Sequence, residues 1–212
     1  RLQQAAAPAY AGAAIAGAFA GDLLTLFVFW ELTAVTSVFL IWASRTERSF
    51  RAGLRYLIIQ VASGVLLLAG IAMLAGERGS SALVFDNLWD RFQEGTAGFW
   101  PVTLILVAFG IKAAFPLLHN WLQDAYPEAT VTGTVWLSAF TTKLAIYALA
   151  RGFAGADCLV WIGAAMAAFP IFYAVIENDL RRVADLKGRE DLAFPAAARA
   201  SVPSSERWDD VR

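Results

Sequence analysis

The stretch Phe109–Arg151, FGIKAAFPLLHNWLQDAYPEATVTGTVWLSAFTTKLAIYALAR, sets two lysines, Lys112 and Lys143, in largely apolar helical text. Its reading depends on the solvent around it. The chain has 212 residues, 58% hydrophobic and 17% charged, with mean hydropathy +0.55, which is more apolar surface than a soluble domain can bury. Three segments, Leu2–Gly21, Tyr56–Gly76 and Cys158–Ile176, contain no Asp, Glu, Lys or Arg. Each has about the 20 residues that a helix needs to cross a bilayer at roughly 1.5 Å per residue.

Three further spans follow if each tolerates a charge: Leu23–Ser44 with Glu31, Gly95–Leu118 with Lys112, and Ala129–Ala150 with Lys143. The expected fold class is therefore all-α, a polytopic membrane protein of about six transmembrane helices occupying residues 1–183. From about Ala184 the text becomes charged and carries prolines, so residues 184–212 read as an atypical, disordered polar tail. The chain opens on Arg1 rather than Met and lacks the front of a signal peptide, so a fragment without its true beginning is expected.

The segment between spans two and three holds Arg45, Arg48, Arg51 and Arg55, which the positive-inside rule puts in the cytoplasm. Alternation then makes His119–Glu128 internal as well, although it contains acids and no Lys or Arg. Asp22, Ser49 and Asp157 are the expected caps of spans two, three and six. Gly17 and Gly21 form a GxxxG pair that could admit a close helix neighbour. The net charge of −1 gives no general attraction to nucleic acid. The single Cys158 excludes an intrachain disulfide or a cysteine-built metal site, and reads as a small packed residue.

An ionisable group near the middle of a spanning helix costs about 2.5–3.5 kcal/mol on insertion scales and usually marks an ion path or a buried pair. Snorkelling is the competing explanation. It suits Lys143, near the end of its span, better than Lys112, and Glu31 is too short for it. Pro116 lacks an N–H and clashes with the carbonyl four residues back, that of Lys112, so the helix should break at the lysine. Broken membrane helices are tolerated where freed backbone lines a cavity or is covered by protein, and an ordinary kink is the alternative.

His119, the chain's one histidine, lies two helical turns beyond Lys112 if the helix continues, and is either a proton relay or an interfacial polar residue. Thr134, Ser138 and Thr142 recur every four residues, with Thr141 beside them, and could hold water along one face or bond their own i−4 carbonyls. A carboxylate near a buried ammonium favours its charged form, so a changing Glu31–Lys112 distance would load or unload a proton. The expected path runs through Glu31, Lys112, His119 or water, and Lys143.

The motifs FVFWELTAVTSVFLI, FGIKAAFPLLHNWLQDAYPEA, LSAFTTKLAIYALAR and ENDLRR together resemble the antiporter-like membrane subunits shared by Mrp-type cation/proton antiporters, their D subunit above all, and the proton-pumping arm of respiratory complex I. The resemblance covers about Gly21–Arg182. It implies that Glu31 corresponds to the family's essential glutamate, Lys112 to the lysine of its broken helix, Lys143 to the lysine of the next helix, and His119 to a channel histidine. It also implies a larger fold of two inverted repeats, of which this chain carries the first.

Two departures stand out: Gln123 replaces a proline common in relatives, and the text after ENDLRRV diverges, so the second half-channel is absent. Truncation or a frame change would explain this.

The expected function is proton translocation as a subunit of a multi-subunit sodium or potassium/proton antiporter in the inner (plasma) membrane. Its partners would be other membrane subunits, lipid, protons and Na+ or K+. The alternatives are a membrane-arm subunit of an NADH:quinone oxidoreductase or membrane hydrogenase, and an inactive remnant whose charges serve as buried pairing sites. No dinucleotide fingerprint, metal-ligand spacing or nucleophile elbow occurs in the sequence, so no cofactor, metal or catalytic residue is expected of this chain.

Overall fold

The computed structural model describes residues 2–79, 83–93 and 95–176. The expected tail, 184–212, and the ENDLRR motif lie outside them. Eight helices form among the described residues: α1 (Leu2–Ala18), α2 (Leu23–Trp42), α3 (Glu47–Arg78), α4 (Leu88–Gln93), α5 (Thr96–Ala113), α6 (Asn120–Ala125), α7 (Val131–Gly152) and α8 (Asp157–Ile176). The chain divides into two compact units, residues 1–157 and 158–212, so the boundary falls at the start of α8 rather than near 183.

α2 and α3 are long and apolar enough to cross a membrane, whereas Gly98–Ala113 and Asp157–Ala168 are shorter apolar stretches. α3 has 32 residues, about 48 Å at 1.5 Å each, against a hydrocarbon core of about 30 Å. It starts well before Tyr56, and its first turns carry Arg48, Arg51 and Arg55.

Helix starts follow side-chain chemistry. Asp22 caps α2 in extended conformation; its Oδ1 accepts the Thr25 N–H at 2.7 Å and its Oδ2 accepts the Thr25 hydroxyl at 2.6 Å. These bonds hold the Asp22 carboxyl below the usual carboxylate range, the Thr25 hydroxyl contributing most.

At α3 the cap is Thr46, not Ser49. Thr46 has the extended backbone that a cap requires, and Ser49 is the third helical residue of a reciprocal capping box, bonded back to the Thr46 N–H at 3.1 Å. Asp157 lies in the first turn of α8, where its charge suits the positive end of the helix.

Within the first unit α2 packs on α1 and α3, α5 packs on α3 and α7, and α7 also touches α1. Close approach of α3 and α5 depends on Gly70, where a Cβ would stand 2.7 Å from both the Pro101 carbonyl oxygen and Ile105 Cγ1. Of the GxxxG pair, Gly17 meets Leu144 of α7 while Gly21 faces open space, so the two do not form one seam.

Large apolar side chains face outward in rows: Leu24, Val28, Leu32 and Val35 on α2, and Leu54, Ile58, Val61, Val65 and Leu68 on α3. Spacings of three and four put each row on one helix face, the arrangement expected where hydrocarbon or a partner helix is the neighbour.

The ends of the unit carry the charges. Arg55 pairs with Asp124 at 3.7 Å, which brings the acidic α6 connector to the end that holds the arginine cluster. Both side chains are more than half exposed, so the pair contributes little energy. At the opposite end Arg151 donates to Ala20 O at 2.7 Å and lies 4.5 Å from the Phe85 ring centroid, while the Phe85 N–H bonds Gly21 O at 3.0 Å.

Candidate functional site

α5 stops at Ala113, one residue after Lys112, and residues 114–119 form turns before α6 begins. The expected span Gly95–Leu118 is therefore a shorter helix followed by an unwound segment. Ala114 takes the left-handed conformation (φ 61°), and the Phe115 N–H reaches Gly110 O at 2.9 Å. This is the six-to-one bond of a Schellman ending, with alanine in the place usually held by glycine. Leu117 is also left-handed, at φ 71°.

The Trp121 indole covers another freed carbonyl, donating to Ile111 O at 3.0 Å. Pro116 lies within the turns, where its missing N–H removes no helical bond.

The end of α5 carries Lys112 into a pocket of α2. Lys112 is fully buried, and its Nζ donates to Trp30 O at 2.7 Å and to Thr33 Oγ1 at 2.9 Å. Nζ also stands 4.3 Å from the Trp30 ring centroid. Hydrogen bonds to a charged group contribute about 1.5–3 kcal/mol each and a cation–π contact about 0.5–2 kcal/mol, together comparable with the insertion cost of the charge.

Trp30 is fixed in turn. Its indole donates to Ser63 Oγ at 3.2 Å, Ser63 donates to Ala108 O at 2.8 Å, and its ring packs 5.1 Å from Phe109.

Glu31 follows Trp30 on α2 and is half-buried. Its charge acts on Lys112 through space, but no ion pair within 4.0 Å joins them. The carboxylate lies against α3 instead, where a Cβ on Gly64 would stand 1.6 Å from Glu31 Oε1. That oxygen is buried and has no hydrogen-bond partner among the described residues.

One turn before Gly64, the Gln60 side chain is fully buried, and neither its oxygen nor its nitrogen has a partner there. The contacts of Gly70 with Ile105 and Ser63 with Ala108 set an antiparallel register that puts Gln60 at the height of Lys112. Trp30, Thr33, Gln60, Ser63 and Gly64 thus join the residues expected from sequence. The signal for the α3 members was the small polar text QVASG inside a span otherwise apolar, which attention to charges passes over.

The remaining expected residues are more scattered. The two-turn registry between Lys112 and His119 does not exist, because the helix ends between them; His119 is buried at the start of α6. Thr134 bonds Tyr126 O at 2.9 Å and its own i−4 carbonyl, Thr130 O, at 3.2 Å, the backbone-bonding alternative. Ser138 is half-buried and Thr142 buried on α7. Lys143 is half-buried on the same helix, which runs Val131–Gly152. Gln123 falls inside α6, where it leaves the short helix intact.

The model of the family described as NADH:quinone oxidoreductase/Mrp antiporter, TM matches residues 20–183, well over half the chain. The NADH-quinone oxidoreductase subunit N of Desulforudis audaxviator is 32% identical over 175 residues, 77% of this chain and 35% of that protein. The Na(+)/H(+) antiporter D subunit of Bacillus subtilis is 31% identical over 145 residues, 66% of this chain and 29% of that protein.

Among solved structures, the Mrp complex from a Dietzia species contains a chain similar at TM-score 0.75 and 27% identity, over 87% of this chain and 36% of that one. The chain spans about a third of the length of these relatives. It belongs to the NADH:quinone oxidoreductase/Mrp antiporter transmembrane family, whose relatives are integral membrane subunits of antiporter and respiratory complexes.

Proposed function

We propose that this chain is a proton-translocating membrane subunit of a multi-subunit monovalent cation/proton antiporter, with Glu31, Lys112 and Lys143 as stations on the path. The observation that carries the reading is the fully buried Lys112 ammonium, held by Trp30 O and Thr33 Oγ1 at the end of a broken helix. An ammonium has three donors, and these two bonds leave one for an exchangeable partner. Glu31 supplies a nearby carboxylate with one buried oxygen free of hydrogen bonds, able to turn toward the lysine or toward water.

His119, Ser138 and Thr142 are the further polar groups proposed for the path, and Pro116 the residue that keeps the lysine at a helix end. Six spans with the Arg45–Arg55 segment in the cytoplasm complete the proposal. The assembly would lie in the inner membrane, with other membrane subunits and lipid around the outward apolar rows of α2 and α3.

The relative that is an NADH-quinone oxidoreductase subunit N favours a second reading, in which redox chemistry in other subunits drives the same path. Neighbouring genes discriminate: iron–sulfur and flavin subunits accompany the oxidoreductase, a set of small membrane subunits the antiporter.

The test is vesicle transport by the complete complex, followed with a pH-sensitive dye on addition of sodium or potassium, for wild type, Glu31→Ala and Lys112→Ala at matched expression. Loss of cation-dependent proton flux in both variants is the expected result. Undiminished flux would leave the buried charges with a structural role only.

A further inference from the structure

Four hydroxyl side chains from four helices meet inside the first unit, and the path proposed above uses none of them. Tyr10 of α1, Ser37 of α2, Tyr56 of α3 and Thr141 of α7 are all buried to within 1% exposure. Tyr56 OH and Ser37 Oγ are 2.7 Å apart. Tyr10 OH bonds Thr141 Oγ1 and lies 3.4 Å from Leu137 O. The Thr141 hydroxyl also sits against Tyr56 OH, so the four oxygens form a continuous cluster.

Each hydroxyl can donate one hydrogen bond and accept others, which is the requirement for passing a proton without leaving a charge behind. The ends of the cluster are informative. Ser37 lies one helical turn beyond Thr33, the hydroxyl that accepts from Lys112 Nζ, and residues so spaced share a helix face. A single bridging water can span such a gap. Thr141 is on α7, the helix that carries Lys143 two residues later.

We infer that Ser37, Tyr56 and Thr141 form a hydroxyl relay that carries protons sideways between the Lys112 station and α7. The inference deepens the transport reading and rests on it. In each passage an oxygen receives a proton from one neighbour as it releases its own to the next, and rotation of the O–H bonds resets the chain, so no atom or charge is gained. Tyr10 holds Thr141 in place from α1 and is a positioning residue.

The experiment uses the complete complex in vesicles, with cation-dependent proton flux, the amount of assembled complex and thermal stability measured together. Tyr56→Phe removes one oxygen and keeps the ring that packs 5.4 Å from Trp121. Thr141→Val removes a hydroxyl at constant shape, and Thr141→Ser retains it.

Flux per assembled complex is expected to fall at least about tenfold in Tyr56→Phe and Thr141→Val, since a positioned proton-transfer group commonly contributes more than that. Thr141→Ser should keep most of the flux, and Tyr56→Phe with Thr141→Val should be no worse than either alone. Wild-type flux in Tyr56→Phe and Thr141→Val overturns the relay, as does equal loss in Thr141→Ser and Thr141→Val, which would mark a packing role. Lys112→Ala separates the two readings: if it abolishes flux while the hydroxyl variants do not, only the relay fails, and if it too transports normally, the transport reading fails with it.

Discussion

Gly64→Ala is a small change aimed at the carboxylate of Glu31 from the opposite helix. The new Cβ would stand 1.6 Å from Glu31 Oε1, 2.4 Å from Cδ and 3.3 Å from Cγ, whereas ordinary contact begins at 3.4 Å. The carboxylate oxygen must therefore retreat by about 1.8 Å. Swinging the side-chain end off a preferred rotamer costs about 0.5–1.5 kcal/mol. Replacing glycine by alanine inside a helix returns about 0.5–1 kcal/mol. The fold should stay within about 1 kcal/mol of wild type.

Transport should not, because a misplacement of about 1 Å at a reacting group can reduce a rate by about 100-fold. The expected result is a flux about 10–100-fold below wild type in vesicles holding equal amounts of assembled complex. Gly76→Ala on the same helix, with nothing within 4 Å of its Cβ, is the control and should leave flux unchanged. Wild-type flux in Gly64→Ala would refute the reasoning, since the position of the Glu31 carboxylate would then not matter.

The buried amide of Gln60 makes no bond to any described residue, and an unsatisfied polar group costs about 1–3 kcal/mol. Gln60→Leu should therefore raise thermal stability while lowering proton flux, the trade-off common at functional sites; a fall in stability would show that the amide is satisfied by water or a partner subunit. Asp22→Ala should cost about 1 kcal/mol, the usual value of an N-cap, in thermal or denaturant unfolding.

Because its bonds to Thr25 hold the Asp22 carboxyl below its ordinary value of 3.8, the cap contributes fully above that pH and its contribution fades as pH falls through the native value. An acid-unfolding difference between wild type and Asp22→Ala that persisted below the native value would contradict this assignment.

The sequence revealed where charge is expensive. Glu31 and Lys112 stood out because apolar text surrounds them, and Pro116 marked the break because proline cannot continue a helix. Partners were not legible in the same way. Trp30 reads as a lipid-facing or core aromatic, and only the tertiary fold shows that its carbonyl and ring hold the lysine.

Gly64 and Gln60 are also invisible to a search for charge, since their importance comes from what the facing helix puts against them. At α3 local chemistry misled: Ser49 is a good capping residue, but Thr46 three positions earlier takes the cap and uses Ser49 as its partner. The His119 spacing failed because a two-turn distance has meaning only in an unbroken helix.

The ending of α5 has a mechanical consequence. A helix displaced lengthwise by one residue moves about 1.5 Å, and a one-residue change of register turns its side chains by about 100°. Either slip would carry the lysine out of reach of its acceptors on α2. The left-handed Ala114, the Phe115–Gly110 bond and the Trp121 indole on Ile111 O pin the last turn at three points around its circumference. Pistoning and swivelling of α5 are thereby resisted where the lysine leaves the backbone. Motion at this site is left to parts with little inertia: the end of the Glu31 side chain, the lysine's own four-carbon stem, and the protons themselves.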